Sequence, residues 1–446
     1  MHTLQLKHVI RFLLLTYLSL LVLPAQAQAQ AQDETVADSP LSKILETLRD
    51  NQAITSAQYN ELLKEIQPES SRSTQPSPET ISQSQERVSP PVAKPDVSLK
   101  LGGQLSIDAA AYKVDKTAMG NGTQLRRARL SAEGKLFTDW SYAMEYDLAG
   151  NEAAIKDAYI AYKVNKRATF SFGHFKAPFS MGGQTGSKST LFMERSLPVD
   201  TFAPGRRFGL SYHHYGKRWS TNSALFFEGA GDDVDKEGNE GWGISSRLTH
   251  VAPSSQSSIL HIGASIAYEK TNDEAALRFK PGPESDLTGA TLVDTQQMAD
   301  IDYHLSYGLE AATLVGPFLL QGEYILTDVH RKNGAPALQF DGWYIQTSFV
   351  LTGESKGYKA SNGTFKRPKP SGDLGALELG VRLSHINLED ADIQGGKEQN
   401  LTVGLNWYPN PNLRLMTNYI QAIASPNEDG VKDSPEILQM RAQLNF

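Results

Sequence analysis

From residue 98 to Phe446 the chain alternates apolar and polar side chains with a period of two. The last segment is the cleanest. Leu438, Met440, Ala442, Leu444 and Phe446 alternate with Gln439, Arg441, Gln443 and Asn445. Leu401, Val403, Leu405 and Trp407 oppose Thr402, Gly404 and Asn406 in the same way. Leu260, Ile262, Ala264 and Ile266 oppose His261, Gly263 and Ser265. Strands of about ten residues with one apolar face and one polar, glycine-containing face suit a barrel with lipid outside and water inside. Sixteen such segments are expected, near 98–112, 122–136, 140–149, 154–164, 168–175, 207–215, 219–228, 240–250, 257–270, 301–314, 317–329, 338–352, 375–388, 399–408, 411–423 and 437–446. An even count returns both chain ends to one side, and sixteen strands enclose an aqueous lumen rather than a filled core. Connections alternate between short ones, such as Thr138-Asp139 and Gly316-Pro317, and longer ones. The expected fold is therefore all-β: a 16-stranded antiparallel transmembrane β-barrel with a short helical N-terminal arm. The rival is a soluble β-sandwich or propeller, which the strand length and the N-terminal segment disfavour.

That segment has the form of an export signal over residues 1–27. His2, Lys7, His8 and Arg11 precede an apolar run from Phe12 to Leu23, Pro24 ends the run, and Ala25-Gln26-Ala27 fits a small-x-small cleavage site. The run is too short to span a bilayer as a helix. Residues 28–66 then carry Leu41, Ile44, Leu45 and Leu48, and afterwards Ile54, Tyr59, Leu62, Leu63 and Ile66, at helical spacing. Thr55 and Ser56 can cap the second set. Helices this short are marginal alone and need a partner, copies of themselves being one choice. Residues 67–97, rich in Ser, Pro, Gln and Glu, suit a disordered linker to a barrel domain at 98–446.

Composition removes several function classes. The 446 residues include no cysteine, so disulfide frameworks, thiolate metal sites and cysteine nucleophiles are excluded. A net charge of −7 argues against a nucleic-acid partner. Gly353-Glu354-Ser355-Lys356-Gly357 matches G-x-S-x-G, but no helix pattern follows to form the elbow that a nucleophilic serine requires. His213 and His214, adjacent on one strand, face opposite sides. The run Asp232-Asp233-Val234-Asp235 opens like a calcium loop yet has Ile244 where the closing glutamate belongs. No catalytic residue, cofactor or metal is expected.

Several motifs carry a more specific signal. Arg126-Arg127-Ala128-Arg129-Leu130 with Trp140 to Asp147, then Gly173-His174-Phe175-Lys176-Ala177-Pro178-Phe179-Ser180, resemble the phosphate-selective porin O/P family. Phe192-Met193-Glu194-Arg195-Ser196, Phe202-Ala203-Pro204-Gly205-Arg206 and Leu351 to Lys356 with Gly363 and Phe365 extend that resemblance across about 98–446. It implies a homotrimeric channel in the bacterial outer membrane for inorganic phosphate or other small anions. It also implies a constriction lined by lysines and an approach lined by arginines. A general or organic-anion porin of the same fold is the alternative; an outer-membrane enzyme or an adhesin barrel would require a triad or an arm-borne function.

The charge layout points the same way. The barrel region is net acidic, yet two long connections are basic. Residues 353–374 hold Lys356, Lys359, Lys366, Arg367 and Lys369, and residues 176–206 hold Lys176, Lys188, Arg195 and Arg206. The second follows the fifth strand, and the first lies where turns are normally short. Basic groups folded into a lumen focus positive potential and replace part of an anion's hydration shell. The expected pore-lining anion sites are Arg127, Arg129, Lys176, Lys188, Arg206, Arg207, Lys356, Lys359, Lys366 and Lys369. Lys188 is expected to approach Lys356, Lys359 or Lys366, with Arg127 and Arg129 on the wall leading there.

Overall fold

The computed structural model describes residues 60, 97–150, 153–227, 240–252, 258–271, 276–426 and 430–446. The export signal, both arm helices apart from Asn60, most of the linker and the acidic run at 232–235 lie outside them. Contacts divide the chain into two units at Ala93/Lys94, and the barrel lies in the second.

Its first half contains β1 (Lys100–Lys113), β2 (Gly122–Leu136), β3 (Trp140–Asp147), β4 (Ala154–Asn165), β5 (Ala168–Lys176), β6 (Arg206–Tyr215), β7 (Trp219–Phe227) and β8 (Trp242–Ala252). Next come β9 (Ser258–Lys270), β10 (Ile301–Val315), β11 (Phe318–Arg331) and β12 (Leu338–Val350). A short hairpin, β13 (Lys356–Lys359) and β14 (Thr364–Pro368), precedes β15 (Ala376–Asp390), β16 (Ile393–Tyr408), β17 (Leu413–Ala424) and β18 (Glu436–Asn445). Every strand except β13 and β14 pairs antiparallel with its neighbours in one closed barrel, sealed where β1 meets β18 from Gln104↔Asn445 to Lys113↔Glu436. That leaves sixteen wall strands, the expected number.

Burial is inverted relative to a water-soluble domain. Leu260, Ile262 and Ile266 on β9 are 44–50% exposed, whereas Ser384, Asn400, Thr402 and Gln443 are 0% exposed. The wall turns its apolar face outward to lipid and its polar face inward, as a membrane barrel requires.

Three connections fold inward and fill much of the lumen. The first, 177–205, contains α1 (Met181–Gln184) and α2 (Leu197–Phe202). The second, described from 276 to 300, is at the same end of the barrel. The third is the β13–β14 connection, at the end that carries the terminus. Phe179, Leu197 and Phe202 of the first pack with Leu292 and Val293 of the second against Ile325, Phe340, Ile386 and Ala422 of the wall. This apolar plug occupies the β11–β17 side. Open space remains against β1–β8.

Two departures from the expected strands have local causes. β16 begins at Ile393, six residues earlier than the alternation suggests, because Gly395 and Gly396 interrupt the pattern. Gly396 has φ +85°, and a Cβ there would lie 2.4 Å from the Pro426 carbonyl oxygen, so the packed bend excludes a side chain. β13 and β14 contain four and five residues, too few for alternation to register.

Candidate functional site

The site is built on β2 to β6 and the connection 177–205. β2 carries a bulge opposite Ser106/Ile107, so Arg127 faces Ser106 while Leu125 faces Ile107. The extra residue allows the consecutive Arg126 and Arg127 both to reach Glu194 inside the barrel, at 3.1 and 3.5 Å. Arg441 from β18 donates to the same carboxylate at 2.6 Å and is held by Asp108 at 2.7 Å. Arg126 also meets Asp286 of the second inward connection at 2.9 Å. Burial opposes ionisation of Glu194, but three arginines outweigh it and hold the carboxyl below the ordinary range. Glu194 therefore acts as a fixed anion that locks the connection to the wall.

The tip is fixed from other directions. Ser180 Oγ accepts from Gly183 N at 3.1 Å, capping α1. The Glu323 carboxylate accepts from the Met181 and Gly182 amides at 2.8 and 2.7 Å. Arg414 of β17 donates to the Thr190 and Leu191 carbonyls at 2.7 and 3.0 Å. These contacts place the cations of the connection in a rigid frame.

A small cavity of about 40 Å³ between the connection and the hairpin is lined by Arg195, Lys356 and Arg382, among others, and three larger ones border the frame. An outer one of about 130 Å³ is lined by Lys176, Gln184, Arg195, Asp200 and Arg206, among others. A central one of about 290 Å³ is lined by Arg127, Arg129, Lys176, Lys188, Arg195 and Arg206, with Glu145 and Asp157 as its only carboxylates among the described residues. An inner one, also about 290 Å³, lies toward the hairpin and is lined by Tyr159, Lys176, Gln184, Ser211, Asn222 and Asn362, among others. Lys176 and Gln184 border all three.

The charge of each cation depends on its partner. Lys176 Nζ donates to the Gly183 and Thr185 carbonyls at 2.9 and 3.2 Å, and Arg195 donates to Gly182 and Thr185 at 3.1 Å each. Both thus converge on the Thr185 oxygen, and neither pairs with a carboxylate among the described residues. Lys188 is half-buried and also unpaired; burial lowers its ammonium below the ordinary value, and Arg367 and Arg129 add to that. Arg127 leaves Nε and Nη1 buried without partners. By contrast, Arg129 is balanced by Asp147 at 2.8 Å and Glu145 at 3.2 Å, and Arg206 by Asp157 at 2.9 Å. Asp200 is exposed to the outer cavity, which protein surrounds. That enclosure raises its carboxyl above the ordinary value, and Glu194 raises it further.

A family model described as phosphate-selective porin O and P matches residues 99–446. The chain belongs to the phosphate-selective porin O and P family. Porin O of Pseudomonas aeruginosa is 25% identical over 370 residues, covering 73% of this chain and 83% of that protein. An uncharacterized protein of Caulobacter vibrioides is 29% identical over 386 residues, covering 80% and 76%. The fold is similar to that of an anion-selective porin from Comamonas acidovorans, with a TM-score of 0.50 at 13% identity over 78% of this chain and 100% of that one. A loop-deletion form of the Vibrio cholerae outer membrane protein OmpT gives 0.52 at 14%, over 79% and 100%. The family and the closed barrel make this protein an outer-membrane porin, a channel rather than an enzyme. The end bearing Phe446 and the short turns is periplasmic, and the connection 177–205 enters from outside.

The expected site residues of this porin do not all meet in the central cavity. Lys356, expected at the constriction, is 5% exposed and donates to Glu378 at 2.6 Å, so it anchors the hairpin to β15. Arg207 pairs with Glu269 at 2.9 Å, outside the central cavity. Lys359, Lys366 and Lys369 are exposed on the periplasmic hairpin. Lys188 does not come together with Lys356, Lys359 or Lys366; its electrostatic neighbour on the hairpin is Arg367. Arg127, Arg129, Lys176, Lys188 and Arg206 do converge, around the central cavity. Sequence reasoning noted Arg195 only as one of several loop charges and did not single out Glu194 or Gln184. The motif Phe192 to Ser196 contained the signal, an acid beside a base within an apolar segment.

The hairpin itself is tightly seated. Arg247 of β8 donates to the Asn362 and Gly363 carbonyls at 2.8 Å and to Glu310 at 3.0 Å. His261, also bonded to Glu310, meets the Tyr358 hydroxyl at 2.7 Å. Burial pushes that hydroxyl up to about 12. Gly363 has φ +58° and its Cα faces Thr249, where a Cβ would lie 2.7 Å from the threonine methyl.

Proposed function

We propose that this porin is an anion-selective diffusion channel with a preference for phosphate or polyphosphate, and that its narrowest anion site is Lys176 with Arg195. The observation that carries the reading is the position of Lys176, which borders all three larger cavities and has no carboxylate partner among the described residues. An acidic barrel can favour anions only if positive charge is concentrated where the path narrows. Lys176, Arg195, Lys188 and the free edge of Arg127 supply that charge, and balanced Arg129 and Arg206 supply donors without excess charge. Unpaired cations held this close repel one another, so a multivalent oxyanion is the ligand that relieves the cluster most. The permeating species are inorganic phosphate and other small anions, and the channel assembles as a homotrimer in outer-membrane lipid. Reversal potentials of the purified porin in a potassium chloride gradient test selectivity, and block of chloride current by inorganic phosphate tests preference. A cation-selective potential would overturn the reading.

A further inference from the structure

The central and inner cavities have equal volumes and different chemistry. The central cavity is lined by six cations. In the inner one, Arg247 is consumed by Glu310 and the hairpin carbonyls, and Asp157 by Arg206. Lys176 is thus its single unbalanced charge. The rest of its polar lining is neutral: Ser171, Ser211, Ser220 and Asn222, with His213 turned to the Ser361 carbonyl at 2.7 Å. Tyr159, Phe175 and Pro178 form apolar faces between these groups. The Asn222 side-chain oxygen is buried without a partner among the described residues. Hydroxyl and amide groups interleaved with rings match a polyol, which offers many hydroxyls on an apolar carbon frame. A bare oxyanion would gain little from such a wall once past Lys176.

We infer that the inner cavity is a subsite for the neutral hydroxylated part of a phosphate monoester. The phosphoryl group sits at Lys176 and Arg195, and the glycerol or sugar portion lies against Ser211, Asn222 and Tyr159. The inference rests on the phosphate reading above and extends it from inorganic phosphate to polyol phosphates. The phosphoryl group and the polyol point to opposite sides of Lys176, so an ester spans both cavities, whereas inorganic phosphate fills only the central one.

The test is block of chloride current through the full-length porin in planar bilayers by inorganic phosphate, glycerol 3-phosphate and glucose 6-phosphate. The esters are expected to block at concentrations about three- to tenfold lower than inorganic phosphate, the gain of one or two net hydrogen bonds. Asn222→Ala and Ser211→Ala should each weaken ester block by a similar factor and leave inorganic phosphate block within about twofold, as no charge changes. Asn222→Ser, which keeps a hydroxyl, should recover most of the loss and controls for folding. Equal block by esters and inorganic phosphate in the unaltered porin would overturn the subsite while leaving the phosphate site standing. Equal weakening of all three anions by Asn222→Ala would overturn it too. Absence of block by inorganic phosphate would instead refute the phosphate reading and this subsite with it.

Discussion

The two basic connections inside this barrel behave in opposite ways. The outer one, 177–205, is tied down through its backbone amides and carbonyls and by its own carboxylate Glu194, which binds wall arginines rather than the connection's cations. Lys176 beside it and Arg195 within it face the cavities with no carboxylate partner among the described residues. The periplasmic one is tied down through its own lysine: Lys356 is buried against Glu378, whose other oxygen accepts from Tyr408 at 2.7 Å. Its remaining lysines are exposed at the mouth. The outer connection with its flanking Lys176 and Arg206 carries four basic residues and the periplasmic one five, yet the two deliver different charge to the pore. The difference lies in what the opposite wall offers. β15 presents a carboxylate to the hairpin, whereas β17 and β18 present arginines to the outer connection.

The largest effect separating the two is expected at Lys356. Removing one member of a buried ion pair leaves the other uncompensated, at a cost of about 3–5 kcal/mol. Lys356→Gln should lower the temperature at which the folded barrel loses its compact mobility in detergent electrophoresis, while channels that do fold keep their phosphate block. A variant of unaltered stability that lost phosphate block would make Lys356 a pore site and remove the contrast.

Lys176 is the mirror case. It donates to carbonyls only, so Lys176→Gln leaves no buried charge stranded and should preserve barrel stability. A charge-assisted contact to an anion is worth about 1.5–3 kcal/mol, so phosphate block should weaken about ten- to hundredfold. A change below twofold would move the narrow point elsewhere, with Arg206 the next position to substitute.

The fold was legible because a membrane wall forces strict alternation, and alternation survives in sequence wherever both faces are continuous. It failed where the backbone bends, as at Gly395-Gly396, and where strands have four or five residues, as in β13 and β14. The lumen content was less legible. Residues 276–300 contribute to the plug, yet their sequence sign is only a few scattered apolar residues, Phe279, Leu292, Val293 and Met298, within a long polar connection. The cations of the site were found as a set. Which of them stay unpaired depends on partners far along the chain: Glu194 meets Arg441 across 247 positions, and Lys356 meets Glu378 across 22. Composition along one connection does not encode that.

An acid on the outer connection sharpens the comparison through pH. Enclosure first and Glu194 second raise the Asp200 carboxyl, against the opposing pull of Arg195 and Arg126. A raised carboxyl takes up its proton earlier as pH falls, so the outer cavity loses one negative charge while Glu194, held low by three arginines, stays ionised. The chloride-to-potassium permeability ratio should therefore rise as pH falls, beginning above the pH at which an ordinary aspartate takes up its proton, and Asp200→Asn should flatten that rise. The same slope in Asp200→Asn would assign the effect to another group.

The smallest effect is expected from the exposed hairpin lysines. Lys366 and Lys369 have no carboxylate partner among the described residues, and Lys366 lies close enough to Lys359, another cation, to repel it. Their fields reach incoming anions only through water, where the screening length is about 8 Å at physiological salt and about 3 Å at 1 M. Lys366→Gln and Lys369→Gln should accordingly lower chloride conductance in dilute salt and have almost no effect at 1 M. Phosphate block, set deeper at Lys176, should shift by less than about twofold, the scale of an exposed charge interaction. The salt dependence is the discriminating measurement, because a lysine that binds the anion directly keeps its effect when the mouth is screened. If either substitution weakened phosphate block at 1 M salt as much as Lys176→Gln does, the hairpin would hold a binding site of its own. The distinction between a pore-lining connection and an anchored one would then fail.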